Sequence, residues 1–173
     1  MPHAKQSSTA TGRLRKGPAQ RALVAAPPRD QNRHSSVATR KVPMSALVFH
    51  MIGGAPDPVA PFSHAVEADG WVFLTGQMPF TGTSSTSAYP ETIEAQTHQV
   101  MTNLVTVLEG CGLGLAHVAA VRVFLRHFDE HYDRMNAIYA SYFPAERRPA
   151  RTCVGVTGLA RGALVEIDMI ARR

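Results

Sequence analysis

No aromatic residue precedes Phe49, and no lysine follows Lys41. These two boundaries nearly coincide, and they limit what the 173-residue chain can fold. Residues 1–43 are rich in Ser, Thr, Ala, Arg, Gln and Pro and carry no sustained helix or strand period. Such a segment cannot bury enough apolar area to offset its chain entropy. The sequence therefore predicts a disordered basic extension over residues 1–43 and a single domain over residues 44–173. Three origins account for the extension. It has the Arg and Ser content of a transit peptide, with no acid before Asp30. It has the charge of a basic arm for an acidic surface. It also has the look of upstream sequence joined by a misplaced start, with Met44 as initiator, and the abrupt change of composition favours this third origin.

The same division explains the charge. The net +5 invites a nucleic-acid reading. Residues 1–43, however, hold nine Lys/Arg against one acid (+8), whereas residues 44–173 hold nine Arg against twelve acids (−3). The body is mildly acidic, and nucleic acid is not an expected partner. Its two cysteines, Cys111 and Cys153, exclude a disulfide framework and a four-cysteine zinc site. Free thiols suit a reducing compartment, so a cytoplasmic protein is expected, or an organellar one if the extension is a transit peptide. The apolar runs are too short to span a membrane.

Within the body, Leu47–Ile52 reads as a short strand. His64–Glu67 and Trp71–Thr75 read as a hairpin around Ala68-Asp69-Gly70. Gly76–Tyr89 reads as a loop. A helix is expected from Pro90, with Ile93, Val100, Leu104, Val107, Leu108 and Cys111 on its buried side and the glycines at 110, 112 and 114 ending it. Val118–Arg126 alternates as a strand. A second helix, capped by Asp129 and stopped by Pro144, should bury Met135, Ile138, Tyr139 and Tyr142. Strands near Ala150–Val156 and Ala163–Ala171 complete the order β-β-β-α-β-α-β-β.

That order implies an α+β fold, a mixed sheet with both helices on one face. Val121, Val123 and Leu125, then Thr152, Val154 and Val156, then Val165, Ile167 and Met169, are the expected seats for the helices. The opposite face would carry Arg122, Phe124, Arg126, Arg151, Cys153, Leu164, Glu166, Asp168 and Ile170. Two helices leave nothing to cover it, and large exposed apolar patches usually meet a partner. A homo-oligomer is therefore expected.

Arg151 and Glu166 are the most informative pair, because each sits inside an apolar strand where a charge is costly unless paired. Arginine can grip a carboxylate with two hydrogen bonds. Glutamate can position or deprotonate a water. The competing explanation is a salt bridge between neighbouring strands.

The segments Arg148-Pro149-Ala150-Arg151-Thr152-Cys153-Val154 and Gly162-Ala163-Leu164-Val165-Glu166-Ile167-Asp168 resemble the C-terminal signature of the RidA (YjgF) family of reactive-intermediate imine deaminases. Ala60–Val66 is similar to the family's opening strand, and Val72-Phe73-Leu74-Thr75-Gly76-Gln77-Met78-Pro79 to its S/T-G-Q-x-P segment. Glu94–Thr97 and Met135–Tyr139 resemble its two helices. The resemblance covers residues 46–173.

It implies a chorismate-mutase-like six-stranded sheet backed by two helices, three subunits around a barrel-like core, and a site in each cleft between subunits. The implied activity is hydrolysis of 2-enamine/2-imine acids such as 2-aminoacrylate to 2-keto acids and ammonia, without metal or organic cofactor. By the same resemblance Arg151 would bind the substrate carboxylate. Glu166 would hold the attacking water. Cys153 would act through its backbone, Thr75 and Gly76 would form the pocket wall, and Asn136 would be a polar cleft residue. Phe62 stands where many members have a tyrosine, so one hydroxyl contact is missing. His64, on the same strand face, is a candidate replacement.

Other motifs carry less. His127-Phe128-Asp129-Glu130-His131 spells H-x-x-E-H, but it straddles a strand end and a helix cap, so no zinc is expected. Nothing local activates Cys153 as a nucleophile. Arg147, Arg148 and Arg151 form a small basic patch without interleaved aromatics. The glycines after the first helix lack the lysine of a phosphate loop. The alternative class is a small-ligand-binding or RNA-acting relative, of the translation-inhibitor or endoribonuclease kind; the presence of both Arg151 and Glu166 favours the enzyme.

Overall fold

Asp69 and Gly70 both have positive φ, 49° and 77°. A two-residue turn of that hand matches the twist of the strands it joins. It closes β2 (Ala65–Ala68) onto β3 (Trp71–Gln77), with Ala68 opposite Trp71. The computed structural model describes residues 46–84 and 87–173. The expectation for residues 1–43 lies outside the described residues.

The other strands are β1 (Val48–His50), β4 (Val118–Leu125), β5 (Ala150–Gly155) and β6 (Val165–Arg172), and the helices are α1 (Ile93–Gly110) and α2 (Phe128–Ala140). The six strands form one sheet in the order β1-β2-β3-β6-β4-β5. All pairs are antiparallel except β4–β5. A parallel pair needs a long crossover, and α2 lies within it. Helix α1 packs on β3 and β6, α2 packs on β4, and the helices pack on each other. The expected architecture is thus observed.

Helix α1 starts at Ile93 rather than at Pro90, because the Thr92 side chain accepts from the Ala95 N–H at 3.2 Å and caps it. Such a cap contributes about 1 kcal/mol. Its apolar stripe is buried as the spacing predicts, Val100, Met101, Leu104, Val107 and Leu108 being fully covered. Each such side chain contributes about 1.5–3 kcal/mol. Helix α2 also corrects an expectation. Its cap is His127, in the left-handed region (φ 49°, ψ 57°), and Asp129 lies in the first turn. His131, Met135 and Tyr139 are its buried residues, while Ile138 and Tyr142 are half-buried.

The β5 faces are reversed from the sequence reading. In the parallel register Arg151 lies beside Val121, Cys153 beside Val123 and Gly155 beside Leu125. Directly paired residues share a sheet face. Arg151 and Cys153 therefore lie on the helix side, and Thr152 and Val154 on the open side. Leu164 is a second correction: it precedes β6 and packs against the main core.

The open face runs as a cross-strand row, Phe49–Val66–Phe73–Ile170–Ala120. Phe49 is 64% and Phe73 47% exposed. Beside this row Arg122 and Asp168 form a two-pronged ion pair, Nε–Oδ1 2.9 Å and a second guanidinium nitrogen to Oδ2 at 2.7 Å.

Two amides on α1 tie down loops that reach the site. Asn103 donates to the carbonyls of Met78 (2.9 Å) and Phe80 (3.0 Å). Gln96 donates to the Pro90 carbonyl (2.8 Å) and accepts from the Leu164 N–H (2.8 Å). Among the described residues, no helix is long and apolar enough to cross a membrane.

Candidate active site

The residues singled out from the sequence fall into two groups. The first surrounds Glu166. The β3–β6 register breaks between Leu74 and Gln77, so Thr75 and Gly76 lie in an irregular stretch. Glu166, opposite Phe124 on the open face, lays its side chain across Gly76. A Cβ at position 76 would collide with Oε1 and come within 2.9 Å of Cδ and 3.1 Å of Cγ, which explains the glycine there. Phe62 and Gly76 line one shallow recess with Gln77, Met78 and Phe80. The Thr75 hydroxyl donates to the Ser63 carbonyl (2.7 Å), so it fixes the segment carrying Phe62 rather than facing a ligand.

Glu166 is half-buried, and its carboxylate has no hydrogen bond or ion pair among the described residues. Burial first, and the neighbouring Asp168 charge second, push its carboxyl above the ordinary carboxylate range. Asp168 is paired with Arg122, whereas Glu166 has no ion pair among the described residues.

The second group lies on the helix side, at the β5 edge. The Arg151 guanidinium stacks 4.7 Å over the ring of Tyr139 on α2. Asn136, one turn before Tyr139, lines a cavity of about 290 Å³ with Tyr139, Ala140, Arg148, Pro149 and Arg151. The Oδ1 of Asn136 and the hydroxyl of Tyr139 are buried without a hydrogen-bond partner. Burial pushes the Tyr139 phenol up to about 12, against the pull of Arg151 and Arg148. Cys153 is half-buried on the same face, and burial pushes its thiol up, opposed by Arg151. A thiol so held is a poor nucleophile.

Arg151 and Glu166 do not meet within one chain. Strand β4 separates their strands, and they lie on opposite faces. The interstrand salt bridge weighed above is therefore absent among the described residues. His64 offers no replacement for a Phe62 hydroxyl. It is 3% exposed, its Nδ1 accepts from the Ile52 N–H (2.8 Å), and its Nε2 lies 2.9 Å from the Pro56 carbonyl. It is a core histidine with both ring nitrogens committed. No cluster of His, Cys, Asp or Glu among the described residues could hold a metal.

Sequence reasoning missed Tyr139 as a site residue, having placed it only in a buried stripe. Its spacing of three from Asn136 on one helix was the available signal.

The profile of the family described as Endoribonuclease L-PSP matches residues 52–173, which includes both groups. The chain belongs to the RidA (YjgF) family. This RidA-family chain is 39% identical over 117 residues to a RutC family protein of Synechocystis, covering 68% of this chain and 89% of that one. It superposes on the Rid-family protein YyfA of Yersinia pestis with a TM-score of 0.68 and 33% identity, over 74% of this chain and 100% of that one. It superposes on E. coli TdcF, solved with bound serine, with a TM-score of 0.64 and 26% identity, over 71% of this chain and 98% of the other.

Proposed function

We propose that this protein hydrolyses 2-enamine/2-imine acids of the 2-aminoacrylate type to 2-keto acids and ammonia, in clefts between the subunits of a homotrimer. The observation that carries the reading is that Arg151 and Glu166, two strand-borne charges, each lack an ion-pair partner among the described residues. They lie on different faces, so one copy's β5 edge and another's open face would together supply a cation and a free carboxylate. The exposed Phe49–Phe73 row gives that second copy an apolar seat. The serine-bound TdcF supports a small α-carboxylate ligand.

In this reading Arg151, held flat by Tyr139, grips the substrate carboxylate with two N–H donors. Aminoacrylate tautomerises to its imine. A water on Glu166 adds to the imine carbon, its proton passing to the carboxylate while the imine nitrogen takes a proton from solvent. The carbinolamine then collapses. Its C–N bond breaks as Glu166 returns the proton to the departing nitrogen and the hydroxyl gives its own proton to solvent, so keto acid and ammonia are released. A carboxyl raised above its ordinary value suits both halves of this exchange. Fixing electrophile and water together supplies the entropic part of the rate. The reaction asks for no cofactor.

The test generates 2-aminoacrylate with a serine dehydratase and follows keto-acid release with and without this protein. Faster release that disappears in Glu166→Ala supports the reading. Release at the uncatalysed rate rejects it and favours a ligand-binding or RNA-acting protein.

A further inference from the structure

A second arginine lines the Arg151 cavity, and no side chain among the described residues pairs with it. Arg122, Arg134 and Arg173 are paired with acids. Arg151, Arg161 and Arg172 lie over aromatic rings. Arg126 bonds the Gly162 carbonyl. Arg147 lines a different cavity, with Leu115 and Phe143. Arg148 alone both faces the Asn136–Tyr139 cavity and has no ion pair, hydrogen bond or ring partner among the described residues. No acid lines that cavity. In a body with more acids than arginines, two unpaired cations on one concave surface make a local anion-attracting field. The volume, about 290 Å³, is at the small end for ligand pockets, which start at roughly 300 Å³.

The cavity also has polar groups waiting for a ligand. The Tyr139 hydroxyl, in a residue only 5% exposed, and the Asn136 Oδ1 are both buried and unpartnered. One can donate and the other can accept. Both arginine charges act on the Tyr139 phenol, so both reach the same part of the cavity. A substrate with one carboxylate would occupy Arg151 and leave Arg148 idle.

We propose that Arg148 is a specificity-determining residue that binds a second carboxylate, so that the preferred substrates are 2-imino dicarboxylates, the imines of acidic amino acids. This rests on the deaminase reading for the reaction, but the binding claim is separable from it. Arg151 takes the carboxylate next to the reacting carbon, and Arg148 takes the distal one. Because Arg148 is solvent-exposed, its contribution is screened by salt.

The test makes 2-iminopropanoate and 2-iminoglutarate in place, with amino-acid oxidases acting on alanine and glutamate. It compares kcat/KM for the full chain and for Arg148→Gln. In parallel, calorimetry measures the binding of 2-oxoglutarate and of 2-oxobutanoate. The dicarboxylate-to-monocarboxylate ratio should favour the dicarboxylate in both assays, and should fall roughly 5- to 30-fold in Arg148→Gln, with partial rescue by Arg148→Lys. The preference should also shrink as salt rises. If imines are hydrolysed but the ratio does not change in Arg148→Gln, this inference is overturned and the deaminase reading stands. If no imine is hydrolysed yet 2-oxoglutarate binds with an Arg148-dependent advantage, the deaminase reading falls and the dicarboxylate site is supported. Equal binding of the two keto acids overturns the site.

Discussion

Gly76→Ala should disable turnover while leaving the fold intact. The new methyl carbon would stand 2.9 Å from the Glu166 carboxyl carbon and 3.1 Å from Cγ. Carbon atoms in contact prefer about 3.5–4.0 Å, so the carboxyl group must retreat by roughly 0.6–1.1 Å. A displacement of about 1 Å at a reacting group costs on the order of 100-fold in rate. The fold should tolerate the change. Gly76 is not among the residues with positive φ, so alanine meets no backbone strain there. The clash falls on the end of a half-exposed side chain that can rotate away. An alanine also reduces unfolded-chain entropy, worth about 0.4–1 kcal/mol of stabilisation. The assay is kcat and KM on 2-aminoacrylate alongside the thermal midpoint. The expected result is a kcat lowered about 100-fold, with KM and the midpoint little changed. A Glu166→Ala background sharpens it, since it removes the Cγ and Cδ that the methyl would meet. Gly76→Ala should then add little further loss, a clear departure from additivity. Full turnover in Gly76→Ala, or a loss confined to KM, would refute the placement of Glu166 over Gly76 as the source of catalysis.

Arg151→Lys should lose about 30- to 150-fold in kcat/KM, because a lysine neither stacks flat on Tyr139 nor makes two parallel bonds to a carboxylate; an undiminished value would show that Arg151 does not bind substrate. Burial and the Asp168 charge raise the Glu166 carboxyl, so the folded state holds that proton more tightly than the unfolded chain does. The resulting stabilisation is present below the ordinary carboxylate value and is lost as pH rises through the raised one. Glu166→Gln should therefore melt above the wild type at neutral pH, with the gap closing near pH ~4; a Glu166→Gln protein that melts lower at neutral pH would contradict it. The wild-type turnover should fall as acid protonates Glu166, with a midpoint above the usual carboxylate range. Phe73→Asp should abolish assembly without unfolding the chain, since Phe73 lies in the exposed row and off the core; light scattering showing a monomeric wild type, or an intact oligomer in the variant, would end this proposal.

Elements with a strong burial contrast were legible in the sequence. In the α1 stripe and on the helix-side faces of β4 and β6 the apolar residues are buried, as Val121, Val123, Leu125, Val165, Ile167 and Met169 are, and these were assigned to the correct face. The Asp-Gly turn was legible because few other residues reach two positive φ values in succession. Strand β5 was not. It is an edge strand whose Val154 is 41% exposed, so its apolar residues follow no core. Its facing is set by the parallel register with β4, a tertiary fact that alternation within six residues cannot encode. Arg151 and Glu166 were singled out as charges inside strands, and both lie in strands, but their separation by β4 depended on strand order. Asn103 and Gln96 lie outside the apolar stripe that the α1 spacing picks out, and only the returning loops give their amides partners. The left-handed His127 replaced an ordinary aspartate cap for a reason that no local pattern carried.

The anchoring of loops on α1 has a consequence for how such a protein can change. Asn103 clamps the chain at Met78 and Phe80, and Gln96 clamps it again at Pro90. Glu166 and Gly76 both lie outside the segment between these clamps. Tyr89, beside the second clamp, packs edge-on against Phe80, which lines the recess, so a substitution at Tyr89 can reshape what the recess admits. The Gln96 side chain meanwhile holds the Leu164 N–H, two residues from Glu166. One helix face thus serves as a common mount for a replaceable part and a fixed one. Under the proposed reaction, selectivity can drift among descendants of this chain while the placement of the Glu166 carboxylate is kept.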